Sequence, residues 1–270
     1  MTTNDEGAAS PQQDVESALA ALTTSAPVDY GLRVLRHVGI SVERYDRYVR
    51  LETGAGGLYA AFSPHAVTGA MMETMVVSTD MFEEIHWCRT RRTAIRSDTA
   101  LPGLRPTVRT GRTRSLPIDL GPVDEEHRAV LEAVRAVPRG QLRPISWVAR
   151  EAGVGPEPEA VTRALAANPV TLLVPCHRIT DEHGSPCDVS YPPSTGRALR
   201  AAEHIDMERL AGLSREGAVL LGSRTTRIYC HPTCAHARRI TRRHQQPFPD
   251  ASAALRAGYR ACRSCRPLAV

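Results

Sequence analysis

No lysine occurs in this sequence of 270 residues: all 34 basic side chains are arginines, a bias of the kind that GC-rich coding produces. Also missing is any run of about 18 apolar residues, which excludes a membrane-spanning helix. The 42% of hydrophobic residues nevertheless suffices for a buried core. The acidic N-terminus, rich in Ala, Ser and Thr, lacks the basic start and apolar stretch of a secretory signal. A cytoplasmic chain with a disordered tail over residues 1–27 is therefore expected. Seven cysteines without an export signal are expected as reduced thiols, and four of them crowd into the last 41 residues, where a metal is the better reading.

What the sequence does contain is unevenly spread. From Ala235 to Val270 eight arginines face a single acid, Asp250, whereas the whole chain has a net charge of only +5. Such a patch suits a polyanion, because each arginine near a phosphate releases condensed counterions. A merely solvated surface is the alternative. The length suits two compact units plus tails. Residues Asp46 to Met72 alternate apolar and polar side chains around Gly54-Ala55-Gly56-Gly57, as a β-hairpin does, and a spacer rich in Arg, Pro and Thr, Arg91 to Pro122, follows.

Beyond the spacer the pattern becomes helical. Asp124 is placed as an N-cap, and Val130, Ala133, Val134 and Val137 share one face before Pro138-Arg139-Gly140 ends the run. A short helix near Ser146 to Ala152, a turn at Gly153 and Gly155, and a third helix opened by Pro156 and carrying Ala160, Val161, Ala164 and Leu165 inward make a helix-turn-helix. That helix ends at Asn168-Pro169. The apolar run Val170 to Val174 then delivers Pro175-Cys176-His177-Arg178, with proline holding Val174 extended. Helix returns from Pro193 to Glu203, and a cysteine-rich module from Ser214 to Cys265 follows a short linker.

The Asn168-Pro169 turn, the apolar run and Pro175-Cys176-His177-Arg178 resemble the active-site motif of O6-alkylguanine-DNA alkyltransferases. The likeness runs without gaps from about Arg128 to Glu203 and more weakly back to about Asp29. It implies an α+β chain with a ribonuclease-H-like sheet domain at 28–121 and a winged-helix-like helical domain at 122–207. It also implies that Cys176 accepts the alkyl group, that His177 removes its proton through a water, that Glu203 orients His177 and that Asn168 supports the site. The residue types suit that chemistry, since a thiolate attacks an alkyl carbon well at neutral pH and a free cysteine is mostly protonated. Three positions depart from the family. Glu159 stands where an arginine usually enters the DNA stack, with Glu157 nearby. Ile145 replaces a tyrosine, and Cys187-Asp188-Val189-Ser190-Tyr191-Pro192 replaces a glycine- and tyrosine-rich loop.

The pairs Cys230-x-x-x-Cys234 and Cys262-x-x-Cys265, with 27 residues between them, have metal-ligand spacing, and four soft thiolates favour zinc. Two disulfides are the alternative. Arg224 to Cys234 and Ala257 to Cys265 resemble the zinc module of Ada-type repair proteins, with Arg227 in place of a usual glycine. The resemblance covers about Glu216 to Pro267 within a module at 214–270. It implies that Cys230, Cys234, Cys262 and Cys265 hold Zn²⁺ and that Cys230 takes a methyl group from a methylphosphotriester.

Together these resemblances imply a single-turnover methylated-DNA–protein-cysteine methyltransferase, expected as a monomer acting on alkylated double-stranded DNA with no membrane partner. Two other readings stay open. One is a sensor or regulator acting through the zinc module with a degenerate Cys176 domain; the other is an interaction adaptor that transfers no methyl. Cys88 and Cys187 have no assigned role.

Overall fold

A computed structural model describes residues 27–155 and 157–267. The expected tail, 1–27, lies outside them apart from its last residue. Helix α1 (Tyr30–His37) leads to β1 (Asp46–Thr53), β2 (Gly56–Phe62) and β3 (Val67–Met72). The stretch expected as one hairpin therefore forms three antiparallel strands. Helix α2 (Thr79–Thr90), capped by the Ser78 hydroxyl, crosses back to β4 (Ala94–Arg96), which pairs parallel to β1 and completes a sheet in the order β3-β2-β1-β4. The expected Arg/Pro/Thr spacer thus holds the fourth strand and α3 (Leu104–Thr110). Three residues of strand are too few for an alternation pattern to register in sequence.

Helix α4 (Glu125–Arg135) begins as expected, with the Asp124 carboxylate accepting the His127 N–H. Strand β5 (Arg143–Pro144) runs into α5 (Ile145–Ala152), which Gly153 closes at φ 68°. Helix α6 (Pro158–Ala166) carries Pro158 in its first turn, a position proline suits; Pro156, expected to open the helix, lies outside the described residues. Strand β6 (Ile179–Thr180) pairs parallel to β5, and α7 (Pro193–Ala202) follows. Val49, Leu58 and Phe62 of the sheet share one buried core with Val130, Leu131, Val134, Val161, Leu165 and Cys176 of the helical part. One core therefore spans both sides of residue 121.

The expected linker is helical, α8 (Met207–Arg215). Beyond it β7 (Leu220–Ser223), β8 (Ile228–Cys230), β9 (Gln245–Phe248) and β10 (Arg260–Ala261) form a second sheet in the order β10-β8-β7-β9, with α9 (Ala251–Arg256) against it. Its small core centres on Phe248 and Tyr259, packed edge to face at 4.8 Å. Gly222 lies beneath them, where a Cβ would come within 2.6 Å of the Phe248 ring.

In the first sheet, fully buried Asp46 accepts from His86 Nε2 (2.9 Å), Thr68 Oγ1 (2.8 Å) and Arg92 Nε (2.7 Å). Burial would raise its carboxyl pKa, but these hydrogen bonds outweigh burial and bring it below the ordinary value. The stability it contributes is present above the ordinary carboxylate range and is lost as pH falls through its lowered pKa. Asp46→Ala strands a buried imidazole and part of a guanidinium. It should cost about 3 to 5 kcal/mol, read as a lowered urea midpoint at neutral pH, with the difference from the parent shrinking in acid.

Candidate functional site

Cys176 sits in a single 3-10 turn, Cys176–Arg178, between the run 170–174 and β6. The approach is pinned from the sheet side. The Ala70 N–H donates to Pro169 O, and Thr171 returns its N–H and hydroxyl to Ala70 O. Leu172 takes a left-handed φ of 69°, and its N–H donates to the Tyr191 hydroxyl at 2.7 Å. Asn168 completes the cradle. Its Nδ2 donates to both Val174 O and Cys176 Sγ at 3.0 Å, and its Oδ1 accepts the Val170 N–H.

Cys176 and His177 are both fully buried. Burial pushes the Cys176 thiol up to about 11, against the opposing hydrogen bonds of Ser190 and Asn168. Burial also lowers His177, outweighing Glu203. Glu203 lies just past α7, its Oε1 3.0 Å from His177 Nε2. Burial would raise this carboxyl, but hydrogen bonds from His177 and Arg178 bring it to about 2. An ionised carboxylate only accepts, so the imidazole carries its proton on Nε2 and leaves Nδ1 with a lone pair. Nδ1 is buried and has no hydrogen-bond partner among the described residues. Asn168, Cys176, His177 and Glu203, named from the sequence, therefore meet at one place, with His177 Nδ1 on the ring edge away from Glu203.

Two members of this site had no assigned role in the sequence. Arg178, 2% exposed, binds Glu203 through Nε (3.0 and 3.1 Å) and Nη2 (2.6 Å), and donates from Nη1 to Val137 O. Arg200 grips both oxygens of Asp188 at 2.6 and 2.7 Å and so fixes the altered loop on α7. Gly196 permits this approach, since a Cβ there would meet Asp188 Oδ1 at 2.4 Å. Both arginines stand at helical or motif positions that read as surface charge until their partners are known. Ile145 is buried at the start of α5, and Glu157 and Glu159 are exposed at the start of α6.

At the second site Cys230 ends β8, Cys234 follows in the next turn, and Cys262 and Cys265 flank the turn after β10. All four are buried, and their sulfurs lie within 4.8 Å of one another. A tetrahedral zinc with Zn–S distances of about 2.3 Å needs sulfurs about 3.8 Å apart, so the cluster fits that ion. Hydrogen bonds among the thiols raise Cys230 and lower Cys234, whose sulfur also faces the backbone N–H groups of His236 and Ala237. Cys230 and Cys262 line an open cavity of about 500 Å³ together with Arg239, Arg260, Arg263 and His244. Arg227 holds φ at 53°, the left-handed region suited to glycine, with its guanidinium 5.1 Å over the Tyr259 ring.

The module is docked rather than separate. The Leu142 N–H donates to the Thr233 hydroxyl (2.8 Å), which donates back to Leu142 O. Trp147 Nε1 donates to Cys265 O at 3.0 Å, and Arg150 Nη2 to Arg266 O at 2.8 Å. The outer face of α5 is therefore covered by the turns that carry the cysteines.

Comparison with known proteins supports two families. Residues 125–205 match the model described as 6-O-methylguanine DNA methyltransferase, DNA binding domain, and residues 213–267 match the metal binding domain of Ada. Curated relatives include a methylated-DNA–protein-cysteine methyltransferase of Methanothermobacter thermautotrophicus, 40% identical over 68 residues (25% of this chain, 38% of that protein). Another from Salmonella typhimurium is 38% identical over 58 residues (22% and 34%). The chain thus spans between a third and two fifths of these two relatives. A crystal structure of the Mycobacterium tuberculosis O6-methylguanine methyltransferase aligns with 58% of this chain and 92% of that one, at 21% identity and a TM-score of 0.45. The chain accordingly joins a segment that matches the 6-O-methylguanine DNA methyltransferase DNA-binding domain to one that matches the metal binding domain of Ada.

Proposed function

We propose that this protein repairs alkylated double-stranded DNA by irreversible transfer of alkyl groups to its own cysteines, O6-alkylguanine to Cys176 and methylphosphotriester to Cys230. The observation that carries the reading is the convergence of Asn168, Cys176, His177 and Glu203 at one site, beside a module whose Cys230 lines an arginine-rich cavity. At the first site, His177 Nδ1 takes the Cys176 proton through a water. Glu203 holds the resulting imidazolium, and Arg178 keeps Glu203 ionised. The sulfur forms a bond to the alkyl carbon as the carbon–oxygen bond to guanine breaks, and the electron pair leaves on oxygen. A thioether remains, and each site acts once. At the second site bound zinc would keep the thiolates deprotonated at neutral pH.

In the same reading the sheet unit, 28–121, is ribonuclease-H-like, supported by the α2 crossover that sets β4 parallel to β1. The helical unit, 122–207, is winged-helix-like, supported by the α5–α6 helix-turn-helix beside the β5–β6 pair, and 214–270 is the zinc module. Each acceptor site is assembled within one chain, which suits a monomer. Free thiols throughout suit a reducing cytoplasm.

A second reading, an alkylation sensor acting through Cys230 with an inactive Cys176 unit, draws on exposed Glu157 and Glu159. Carboxylates beside phosphates repel DNA and do not fill the gap left by an extruded base. Peptide mass mapping after incubation with duplexes carrying each lesion separates the two. The proposal expects one methyl on Cys176 from O6-methylguanine and one on Cys230 from the phosphotriester. Methyl on Cys230 alone supports the sensor, and methyl on neither refutes both.

Two variants test the chemistry. Glu203→Gln should slow Cys176 alkylation by about 10²-fold while leaving Cys230 modification unchanged, read by the same mapping. Glu159→Arg should raise the Cys176 rate on duplex DNA more than on free O6-benzylguanine, because only the duplex requires base extrusion. Equal gains on both substrates would place the defect in the pocket.

A further inference from the structure

Arg143 carries a positive charge into the interior, and no carboxylate among the described residues answers it. It opens β5 and is 2% exposed. Among the described residues, its Nη1 and Nη2 donate only to neutral oxygens, Leu142 O and Gln141 Oε1, both at 2.7 Å, and its buried Nε has no partner. Its guanidinium carbon lies 5.5 Å from the Trp147 ring centre. The other buried guanidiniums of the helical unit are matched, Arg178 by Glu203 and Arg200 by Asp188. An isolated charge at such depth is costly unless another charge balances it.

The four-sulfur cluster lies across the interface. Trp147, stacked on Arg143, donates to Cys265 O, and Leu142, its chain neighbour, is paired in both directions with Thr233, which sits between Cys230 and Cys234. Burial disfavours the Arg143 cation, and attraction from Cys265, Cys234, Cys262 and Cys230 opposes that burial. We propose that Arg143, supplied by the helical unit, is the resident countercation of the four-sulfur site, so that methylation of Cys230 loosens the contact between unit and module. The proposal rests on Cys230 as the acceptor. In the transfer the methyl carbon–oxygen bond of the phosphotriester breaks, a sulfur–carbon bond forms, and the electron pair stays on the phosphate oxygen as a diester anion. Four thiolates around Zn²⁺ carry a formal −2, and three thiolates with one thioether carry −1. Among the described residues, the other contacts named are neutral hydrogen bonds, the Arg150 hydrogen bond to Arg266 O and the Arg266–Glu151 pair, the last two at the exposed rim, where charged contacts contribute little. The buried charge is the part of the interface that methylation alters.

The Trp147 indole proton, bonded to Cys265 O, reports on docking, and half-exposed Trp87 is an internal control. Its exchange rate is measured by NMR in the full-length, zinc-loaded protein, in native, Arg143→Lys and Arg143→Leu forms. Each is compared before and after methylation of Cys230, by a methylphosphotriester duplex or by iodomethane, with the modified peptide confirmed by mass. In the native protein the Trp147 indole should exchange at least tenfold faster once Cys230 is methylated, with Trp87 unchanged. Arg143→Lys should keep this response, and Arg143→Leu should exchange fast in both states. A native rate indifferent to methylation, or a leucine variant as protected and as responsive as the native protein, overturns the proposal. Modification by iodomethane but not by the duplex refutes Cys230 as a phosphotriester acceptor, and the exchange rates still decide the role of Arg143.

Discussion

The stretch from Val137 to Trp147 braces both cysteine sites. Toward Cys176, Val137 O accepts from Arg178 and the Gly140 N–H donates to Glu203 Oε2 at 2.8 Å. Toward the cysteine cluster, Leu142 pairs with Thr233 and Trp147 donates to Cys265 O. Gly140 adopts φ 73°, and a Cβ there would lie 3.2 Å from Glu203 O and 3.4 Å from Arg238 Nη1, so the brace passes closely between residues of both units. The Glu203 carboxylate beside His177 and the turns that carry the four sulfurs are thus held by the same eleven residues of backbone. Displacement at one end would be felt at the other, since packed interiors transmit strain.

Much of the chemistry was legible before the fold. Asn168, Cys176, His177 and Glu203 lie within 36 residues, and the chain between them has little freedom, with proline at 169 and 175 and helix before Glu203. The four cysteines carry their own spacing. What sequence did not reveal were relations between distant segments. Arg178 reads as one more arginine until Glu203 is seen to receive it, and the Asp188–Arg200 pair depends on α7 turning its face to the loop. The docking of the module on α5 rests on Trp147 and Thr233, residue types that serve equally well in an ordinary core or turn. Strand β4 was missed for a different reason: its three residues gain their pairing from β1 and have no strand signal of their own.

The first site combines well-formed chemistry with unfavourable presentation. Glu203 is ionised and shared, His177 Nδ1 is free, and Asn168 holds the sulfur. Yet Cys176 has no exposed surface, and the helix that would meet DNA opens with two acids. The second site has the reverse balance, with two ligand cysteines opening on a cavity rimmed by arginines. Positive charge therefore gathers around the four-sulfur site more than at the start of the helix-turn-helix's second helix. Arg227 fits this division, since its left-handed backbone costs about 1 kcal/mol and is partly offset by stacking on Tyr259.

The most direct test of a shared brace is amide hydrogen exchange across Val137 to Trp147 in the full-length protein, with zinc present and after its removal by a chelator. Small metal modules lose their fold without the ion. The account predicts that amides of this stretch, the Gly140 and Leu142 N–H groups first, lose protection along with the module although they belong to the helical unit, while the amides of α4 keep theirs. Protection across Val137 to Trp147 that is the same with and without zinc would contradict it.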